Sequence, residues 1–307
     1  MDFEFESDER EYVELESIYP VEIGKWQSYE PFHSQEQLTL QLENLLTVPI
    51  DNSYGPVRFV YSKQISSYED YVMNIAKLIK IENTETVLDT EVYYTSKIEG
   101  AKTTKKRTQQ IHNGSPISDD NKFSESMIKG NFEAVKLLNL YGNRIDKDIL
   151  IKTWQILTKD CRENEEIQGP EYRIGDVGIT NSPFIAVPPD KIEKSMDLLI
   201  DFYNNDVLND HPFVKAALIH YDFETIHPFC DGNGRMGRLL MNNYLIGQGL
   251  ESARAVSFSM EIDKTRGLYD YAFSASENKN GDCTPFLEYM LEKMASAYYT
   301  AFELQSK

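Results

Sequence analysis

The chain has 307 residues, of which 41% are hydrophobic and 26% charged, the proportions of an ordinary globular protein. This length is enough for one large domain or two modest ones. The formal net charge of −19 argues against a nucleic-acid partner, because proteins that follow a phosphate backbone need a basic face. A small phosphate-containing ligand is not excluded, since it needs only a local cluster of positive groups.

The cysteine content and the apolar pattern indicate the compartment. Cys161, Cys230 and Cys283 lie far apart and lack metal-ligand spacing, which favours a reducing environment over a disulfide framework. The acidic first residues contain no signal peptide, and no later segment reaches the length of a membrane span. We therefore expect a cytoplasmic protein with no membrane partner.

Helical periodicity dominates most of the chain. Before residue 65 the pattern is mixed, and four prolines interrupt any long helix. After that point, apolar residues recur at helical spacing. We predict helices at Ser67–Ile81, Thr84–Glu99, Phe123–Tyr141, Asp146–Thr158, Pro189–Asn204, Pro212–Thr225, Arg235–Gln248, Lys264–Ser276 and Pro285–Leu304.

Two segments depart from this pattern. Thr103–Asp120 is polar and basic and contains Asn113-Gly114-Ser115-Pro116, which predicts a loop or a short exposed extension. Gly169–Val187 combines Gly-Pro and Asn-Ser-Pro with short β-favouring pieces, which predicts a small hairpin. The predicted fold class is therefore mainly α, a helical bundle with a small β-hairpin.

The segment His227-Pro-Phe-Cys-Asp-Gly-Asn-Gly-Arg-Met-Gly-Arg238 gathers the groups of a phosphate site. Gly232–Gly234 precedes a helix, so backbone N–H groups and the helix dipole favour an anion there. Arg235 and Arg238 are three residues apart on one helical face and are suited to clamp phosphate oxygens. Asp231 is placed to bind Mg²⁺ beside phosphates, and His227 to accept a proton.

Each of these features alone has an ordinary structural explanation. A histidine before proline is more often structural than catalytic, Asp-Gly-Asn-Gly is commonly a tight turn, and an arginine pair on a helix is commonly surface charge. Their occurrence together in one short window favours the phosphate site.

The same window resembles the signature of the Fic family, His-Pro-Phe-x-[Asp/Glu]-Gly-Asn-Gly-Arg-x-x-Arg, at every specified position. The resemblance extends over roughly Thr95 to Tyr289, including Tyr172-Arg173. It implies a Fic-type helical bundle with a hairpin flap. It divides the chain into an accessory N-terminal region, residues 1–85, and a Fic domain, residues 86–300.

The resemblance implies a protein adenylyltransferase, which transfers AMP from ATP to a Ser, Thr or Tyr hydroxyl of a target protein. His227 would be the general base, and Asp231 would hold Mg²⁺ on the α- and β-phosphates. Gly232, Asn233 and Gly234 would form the anion hole. Arg235 and Arg238 would bind the outer phosphates.

Two further features follow from the resemblance. The flap would dock the target segment by adding a strand, with Phe184 and Ile185 as candidates for clamping it, although both could simply cap the core.

In the family, a pair of aromatic residues on a later helix packs near the adenine of ATP. This sequence keeps Tyr269 but has Asp270 in place of the second tyrosine, so Tyr269 is an adenine candidate whose alternative is a core tyrosine.

Thr95-Ser-Lys-Ile-Glu99-Gly100 resembles the inhibitory motif [Ser/Thr]-x-x-x-Glu-[Gly/Asn] of the Fic class with an N-terminal inhibitory helix, here about residues 84–100. Thr95 and Glu99 share a helix face. The resemblance implies that Glu99 pairs with Arg238 and blocks productive ATP binding. By default Glu99 would be an exposed residue of the last helical turn. Glu99 is also a candidate for positioning water when AMP is removed from a target.

Two other functions remain open. A Fic-fold enzyme could transfer phosphate or phosphocholine, although the intact Asn233-Gly234-Arg235 order argues against phosphate transfer. An adaptor that only senses nucleotide is the second alternative, and it would not need His227. The resemblance leaves self-modification and homodimer formation open.

Overall fold

The computed structural model describes residues 46–52, 55–178, 186–277 and 281–306. These residues form an antiparallel hairpin, β1 (Leu46–Asn52) and β2 (Gly55–Phe59), followed by helices. The helices are α1 (Lys63–Ile75), α2 (Thr84–Ile98), α3 (Lys105–His112), α4 (Lys122–Tyr141), α5 (Lys147–Leu157), α6 (Ile192–Asn204), α7 (Pro212–Ile226), α8 (Asn233–Gly247), α9 (Phe258–Lys264), α10 (Arg266–Glu277) and α11 (Thr284–Gln305).

Local sequence signals explain several helix starts. The side chain of Ser62 caps α1 by accepting a hydrogen bond from the Ile65 N–H at 3.2 Å. Asp146 caps α5 in the same way through the Ile149 N–H at 2.8 Å. Proline stands in the first turn of α7 and of α11, where its missing N–H costs no helical hydrogen bond.

Helix α7 lies in the centre of the molecule. Every residue of it is buried except Glu224, which is partly buried, so the helix is covered on all sides. It packs against α8, α6 and α11, and α11 also packs against α1 and α10. One continuous hydrophobic core joins these helices to the hairpin. The loop that follows α7 is therefore attached to the most deeply buried part of the fold.

The predicted fold class is confirmed, since the described chain is mainly helical with one small hairpin. Strands β1 and β2 pair from Leu46 with Phe59 to Asn52 with Gly55, and β1 packs against α6. This hairpin lies in a segment for which the sequence predicted only a mixed pattern. Of the hairpin predicted at Gly169–Val187, residues 179–185 lie outside the described residues, and the described remainder contains only an isolated bridge from Gln168 to Arg173.

The prediction of a loop over Thr103–Asp120 is wrong, because Lys105–His112 forms α3. Thr104 caps this helix by accepting from the Arg107 N–H at 3.1 Å. Ile111 packs with Val92, Ile128 and Phe132 in a small second core between α2, α3 and α4. A helix this short buries too few apolar residues to show periodicity in the sequence. Helix α9 was not predicted either.

The first two helices differ in how closely the sequence located them. Helix α1 begins at Lys63 and ends at Ile75, several residues before the predicted Ile81. Helix α2 matches its prediction almost to the residue. None of the helices in the described residues is long and apolar enough to cross a bilayer. The division at residue 85 stays a prediction, with residues 46–79 contributing to the same core as α7.

Candidate active site

The His227–Arg238 loop begins and ends with left-handed backbone. His227 follows the last residue of α7 with φ 52°, and Gly232 precedes the first residue of α8 with φ 84°. The left-handed region is disfavoured for a residue with a Cβ by about 1–2 kcal/mol. At Gly232 a Cβ would also lie 2.6 Å from Cγ2 of Thr158, so glycine is needed for both conformation and space.

Aromatic packing and a paired amide fix the middle of the loop. The ring of Phe229 is fully buried and stacks on Trp154 with ring centroids 4.5 Å apart. The Trp154 indole N–H donates to the carbonyl of Asp231 at 2.9 Å. The Asn233 side chain accepts from the Phe229 N–H at 3.1 Å and donates to the Phe229 carbonyl at 2.8 Å. These two hydrogen bonds hold the Asn233 side chain against the Phe229 backbone.

Arg173 connects the loop to the segment around Gly175 and Val187. Its buried guanidinium donates to the carbonyls of His227 and Gly175, each at 2.7 Å, and to that of Val187. Its backbone N–H donates to the Pro228 carbonyl at 2.9 Å. Burial lowers the pKa of Arg173 but leaves it charged at neutral pH. The sequence marked Arg173 only as part of the wider resemblance, and this structural role was missed.

The ring of His227 is in the form that a general base requires. Burial lowers its pKa to about 4, so the imidazole is neutral at pH 7. Nδ1 lies 3.2 Å from the backbone carbonyl of Glu224. Because a carbonyl only accepts, this contact assigns the proton to Nδ1 and leaves the lone pair on Nε2.

The start of α8 provides an anion-binding helix terminus. The first helical hydrogen bond runs from the Met236 N–H to the Gly232 carbonyl at 3.0 Å. The amides of Asn233, Gly234 and Arg235 precede it and belong to the turn where the helix dipole attracts negative charge. A Cβ on Gly234 would lie within 3.0 Å of carboxylate oxygens from two side chains, so glycine keeps this approach open.

One of those carboxylates is Glu99, which is bound to Arg238. Nη2 of Arg238 donates to Glu99 Oε1 at 2.6 Å, and its Nε donates to Thr95 Oγ1 at 2.8 Å. Arg238 is 1% exposed and Glu99 28%. Burial alone would raise the pKa of Glu99, but the charge and hydrogen bond of Arg238 outweigh it and hold the pKa below its usual value. The sequence-predicted group of Thr95, Glu99 and Arg238 is thus in direct contact.

Arg235 occupies a different environment from Arg238. It is buried, and its guanidinium lies 3.4 Å from Asp231 Oδ1 and 3.5 Å from the carbonyl of Leu157. The two arginines are on neighbouring turns, but their charged groups are engaged by different partners. Arg235 stabilises the loop through Asp231, whereas Arg238 is bound by α2.

Asp231 is the candidate metal ligand. Its partly exposed carboxylate also accepts from the Glu163 N–H at 3.2 Å. Within the described residues no cluster of three metal-ligating side chains occurs. A magnesium ion commonly uses only one or two protein carboxylates and takes its other ligands from phosphates and water. Asp231 therefore suits an ion that arrives with a nucleotide.

The second carboxylate over Gly234 belongs to Glu224, which the sequence analysis missed. Glu224 is on the last turn of α7, and its Oε2 lies 3.7 Å from Nδ1 of His227. Burial, with a smaller contribution from Glu99, raises the pKa of Glu224 to about 8. A glutamate among apolar residues three positions before His227 was the available signal.

Tyr269 and the flap candidates are not placed at the loop surface. Tyr269 is buried, its hydroxyl lies 2.9 Å from Nε2 of His220, and its ring packs against Phe273. This is the position of a core tyrosine and gives no support to adenine binding. Phe184 and Ile185 lie outside the described residues.

A cavity of about 280 Å³ lies between α2, α4 and α8. Arg235 and Arg238 form part of its wall, and aliphatic side chains such as Leu88 and Leu138 form much of the rest. Helix α2 is therefore incompletely packed on the side that carries Thr95.

Comparison with known proteins places the loop in a family. Residues 144–245 match the model of the Fic/DOC family. The chain is 28% identical over 215 residues to "Protein adenylyltransferase Fic" of Nematostella vectensis, which covers 67% of this chain and 48% of that protein. It is 37% identical over 79 residues to a probable protein adenylyltransferase of Aquifex aeolicus, covering 26% of this chain and 24% of that protein. The matched part of the chain thus spans about half the length of the Nematostella vectensis protein and about a quarter of the length of the Aquifex aeolicus protein.

The fold agrees with solved structures of the same kind. A Fic family protein from Desulfovibrio desulfuricans G20 superposes with a TM-score of 0.70 at 21% identity, covering 81% of this chain and 77% of that one. Fic-1 from C. elegans superposes with a TM-score of 0.62 at 21% identity, covering 80% and 72%. The residues that match the Fic/DOC family model include the whole His227–Arg238 loop.

Proposed function

We propose that this chain is a protein adenylyltransferase that transfers AMP from ATP to a hydroxyl side chain of a target protein. The observation that carries the proposal is a neutral histidine, His227, held in one short loop with the amide-rich start of α8. Relatives that are 28% identical to this chain over about two thirds of its length are named protein adenylyltransferases. No specific observation favours transfer of phosphate or phosphocholine.

In the proposed reaction, Nε2 of His227 takes the proton from a target hydroxyl. The hydroxyl oxygen forms a bond to the α-phosphorus of ATP, and the bond between that phosphorus and the bridging oxygen of the β-phosphate breaks. Pyrophosphate leaves with the bonding electrons, and His227 holds the proton until solvent takes it. The reaction depends mainly on positioning and on neutralising phosphate charge, which the α8 amides and arginines supply.

Asp231 would hold Mg²⁺ on the phosphates, where the ion would neutralise charge on the leaving pyrophosphate. Trp154 and Arg235 keep the Asp231 backbone and carboxylate in place through the contacts described above. The orientation of Asp231 is therefore set by the protein before any ion arrives.

Glu99 acts as a brake in this proposal. A phosphate and the Glu99 carboxylate compete for Arg238, and the 2.6 Å ion pair favours the carboxylate in the unliganded protein. Thr95 accepts a second hydrogen bond from the same guanidinium and holds it toward α2. Release of Glu99 would free Arg238 for the outer phosphates and allow the productive ATP pose.

Other parts of the proposal remain predictions. They are a cytoplasmic location, removal of AMP as a second activity, self-modification, homodimer formation, and target docking by Phe184 and Ile185. The target is described only by its chemistry, an exposed hydroxyl side chain.

The reaction is tested with the full chain carrying Glu99→Gly, incubated with Mg²⁺, cell extract and ATP labelled either at the α- or at the γ-phosphate. Relative to extract alone, we expect the added protein to increase protein-bound label from α-labelled ATP but not from γ-labelled ATP, with a mass gain of one AMP on the modified protein. An increase in label from γ-labelled ATP on adding the protein would show phosphate transfer instead. ATP binding without any protein-bound label or pyrophosphate release would favour the adaptor function.

A further inference from the structure

Glu224 is a partly buried ionisable group that the proposed reaction does not use. Its carboxyl is on the last turn of α7 and reaches over the first turn of α8, close enough to contact a Cβ placed on Gly234. Gly234 is one of the three leading residues of α8 whose amides precede the first helical hydrogen bond and form the anion-binding turn. Glu224 therefore borders the space that a phosphate would enter.

The surroundings of Glu224 contain more groups than its own helix supplies. Glu99 approaches the same point from the end of α2. The other ionisable groups whose charges act on Glu224 or lie against it are Arg238 of α8, Arg266 and Tyr269 of α10, and His227. Arg238 is already paired with Glu99, and Arg266 forms an ion pair with Asp270 at 3.0 Å.

These contacts leave Glu224 without a cationic partner of its own in the described part of the chain. Nδ1 of His227 lies 3.7 Å from Glu224 Oε2, and that ring is neutral. Burial and the adjacent Glu99 raise the pKa of Glu224 to about 8. The side chain is consequently a carboxylic acid at pH 7 and carries an O–H donor.

We propose that Glu224 is a further nucleotide-binding residue, whose neutral carboxylic acid donates a hydrogen bond to a phosphate oxygen of the nucleotide at the start of α8. The proposal rests on the proposed function, because it needs a nucleotide in this loop. An ionised carboxylate at the same place would repel the phosphates. Nucleotide binding therefore selects the protonated side chain, and above pH 8 binding takes up a proton.

The test measures binding of α,β-methylene ATP, which cannot donate AMP, with Mg²⁺ between pH 6.5 and pH 9. The full chain is compared with Glu224→Gln, which keeps a donor but cannot ionise, and with Glu224→Ala, which has no donor. Glu133→Gln, at an exposed glutamate of α4, is the matched control. Calorimetry in two buffers of different ionisation enthalpy counts the protons taken up.

We expect the affinity of the wild type to fall as pH rises above 8, with a slope approaching tenfold per pH unit for one linked proton. Glu224→Gln should bind within about threefold of the wild type at pH 6.5 and lose the slope and the proton uptake. Glu224→Ala should bind about 10- to 100-fold more weakly at pH 6.5, the loss expected for one hydrogen bond to a charged group. Glu133→Gln should match the wild type throughout.

Equal affinity of Glu224→Ala and wild type would overturn the proposal, as would an unchanged pH slope in Glu224→Gln. The outcome for the proposed function is separate. If the Glu224 dependence is seen but Glu99→Gly transfers no AMP to any protein, the function fails and the binding role stands. If AMP is transferred while the Glu224 variants bind like the wild type, only the binding role fails. Absence of nucleotide binding by every form would overturn both.

Discussion

Helices α7 and α2 both end beside the α8 terminus, but they differ in how they are packed. Along α7 every residue is buried except Glu224, and the loop after it is fixed by Trp154 and Arg173. Along α2 only Val92, Thr95 and Ser96 are buried, and a cavity of about 280 Å³ separates part of the helix from α4 and α8.

In the proposed function, this difference separates the groups that carry out AMP transfer from Glu99, which inhibits it. The proposed base and anion site adjoin the core, where close packing holds groups in one geometry. The carboxylate that binds Arg238 belongs to a peripheral helix with fewer buried contacts, which costs less to displace. The fold can therefore change the state of Arg238 without rebuilding the loop that contains His227.

The largest expected effect is at the base. In the Glu99→Gly background, His227→Ala should reduce AMP transfer by about 10²- to 10⁴-fold, because proton removal from the target hydroxyl is lost. The melting temperature should change little, since the imidazole is partly exposed and the Phe229 anchor remains. Transfer at the Glu99→Gly rate would show that another group is the base.

The next largest effect is expected at Arg173, which holds the His227–Arg238 loop through its hydrogen bonds. Arg173→Met should destabilise the fold by about 3 kcal/mol, because several buried carbonyls lose a charged donor. Arg254→Met is the matched control, since its pairing with Glu251 is at the surface, and it should cost no more than about 0.5 kcal/mol. Chemical denaturation measures both. Equal losses would contradict the claim that the loop belongs to the rigid region.

The sequence was sufficient to predict the helical fold class and the contact between Glu99 and Arg238. Long helices with many apolar residues, such as α7, have a strong pattern, and the resemblance to the Fic signature and inhibitory motif implied both partners of the ion pair. Helix α3 was missed because its eight residues include only one apolar side chain, Ile111, and so show too little periodicity. The hairpin at residues 46–59 was missed because Pro49 and Pro56 lie within its strands and an irregularity between Thr47 and Asp51 interrupts the regular pairing.

Parts of the site could not be inferred from the sequence for a different reason. The roles of Arg173 and Glu224 depend on where distant backbone segments meet, since Arg173 reaches the carbonyl of His227, 54 positions away. The contacts of the Arg235 guanidinium depend in the same way on where the Asp231 carboxylate and the Leu157 carbonyl lie. A motif predicts which residues share a site, but tertiary packing decides which of their atoms remain available.

A smaller effect is expected from the second contact of Arg238. Thr95→Val removes the hydroxyl that accepts from Arg238 Nε. The state in which α2 binds Arg238 should be destabilised by about 1 kcal/mol, which would raise AMP transfer roughly fivefold. Thr90→Val is the control on the same helix, because its exposed hydroxyl bonds only to the Thr86 carbonyl. A Thr95→Val rate no higher than that of the control would show that Thr95 does not hold the brake.

The smallest expected change is in the pH profile between pH 5.5 and pH 7.5. A histidine base of ordinary pKa would lose activity as pH falls through about 6.5. Because burial lowers the pKa of His227 to about 4, kcat/KM should stay nearly flat over this interval. The same depressed pKa contributes stability that is present above about pH 6.5 and is lost as pH falls toward 4. An acidic limb centred near pH 6.5 would contradict the buried, neutral ring.

The separation of a core reaction centre from a peripheral brake is tested most directly by the initial rate of AMP transfer from α-labelled ATP, for wild type, Glu99→Gly and Glu99→Gly/His227→Ala. Wild type should show a low rate, Glu99→Gly a rate at least about tenfold higher, as loss of one charged contact implies, and the double variant a rate about 10²- to 10⁴-fold below that of Glu99→Gly. Equal rates for wild type and Glu99→Gly would contradict this separation.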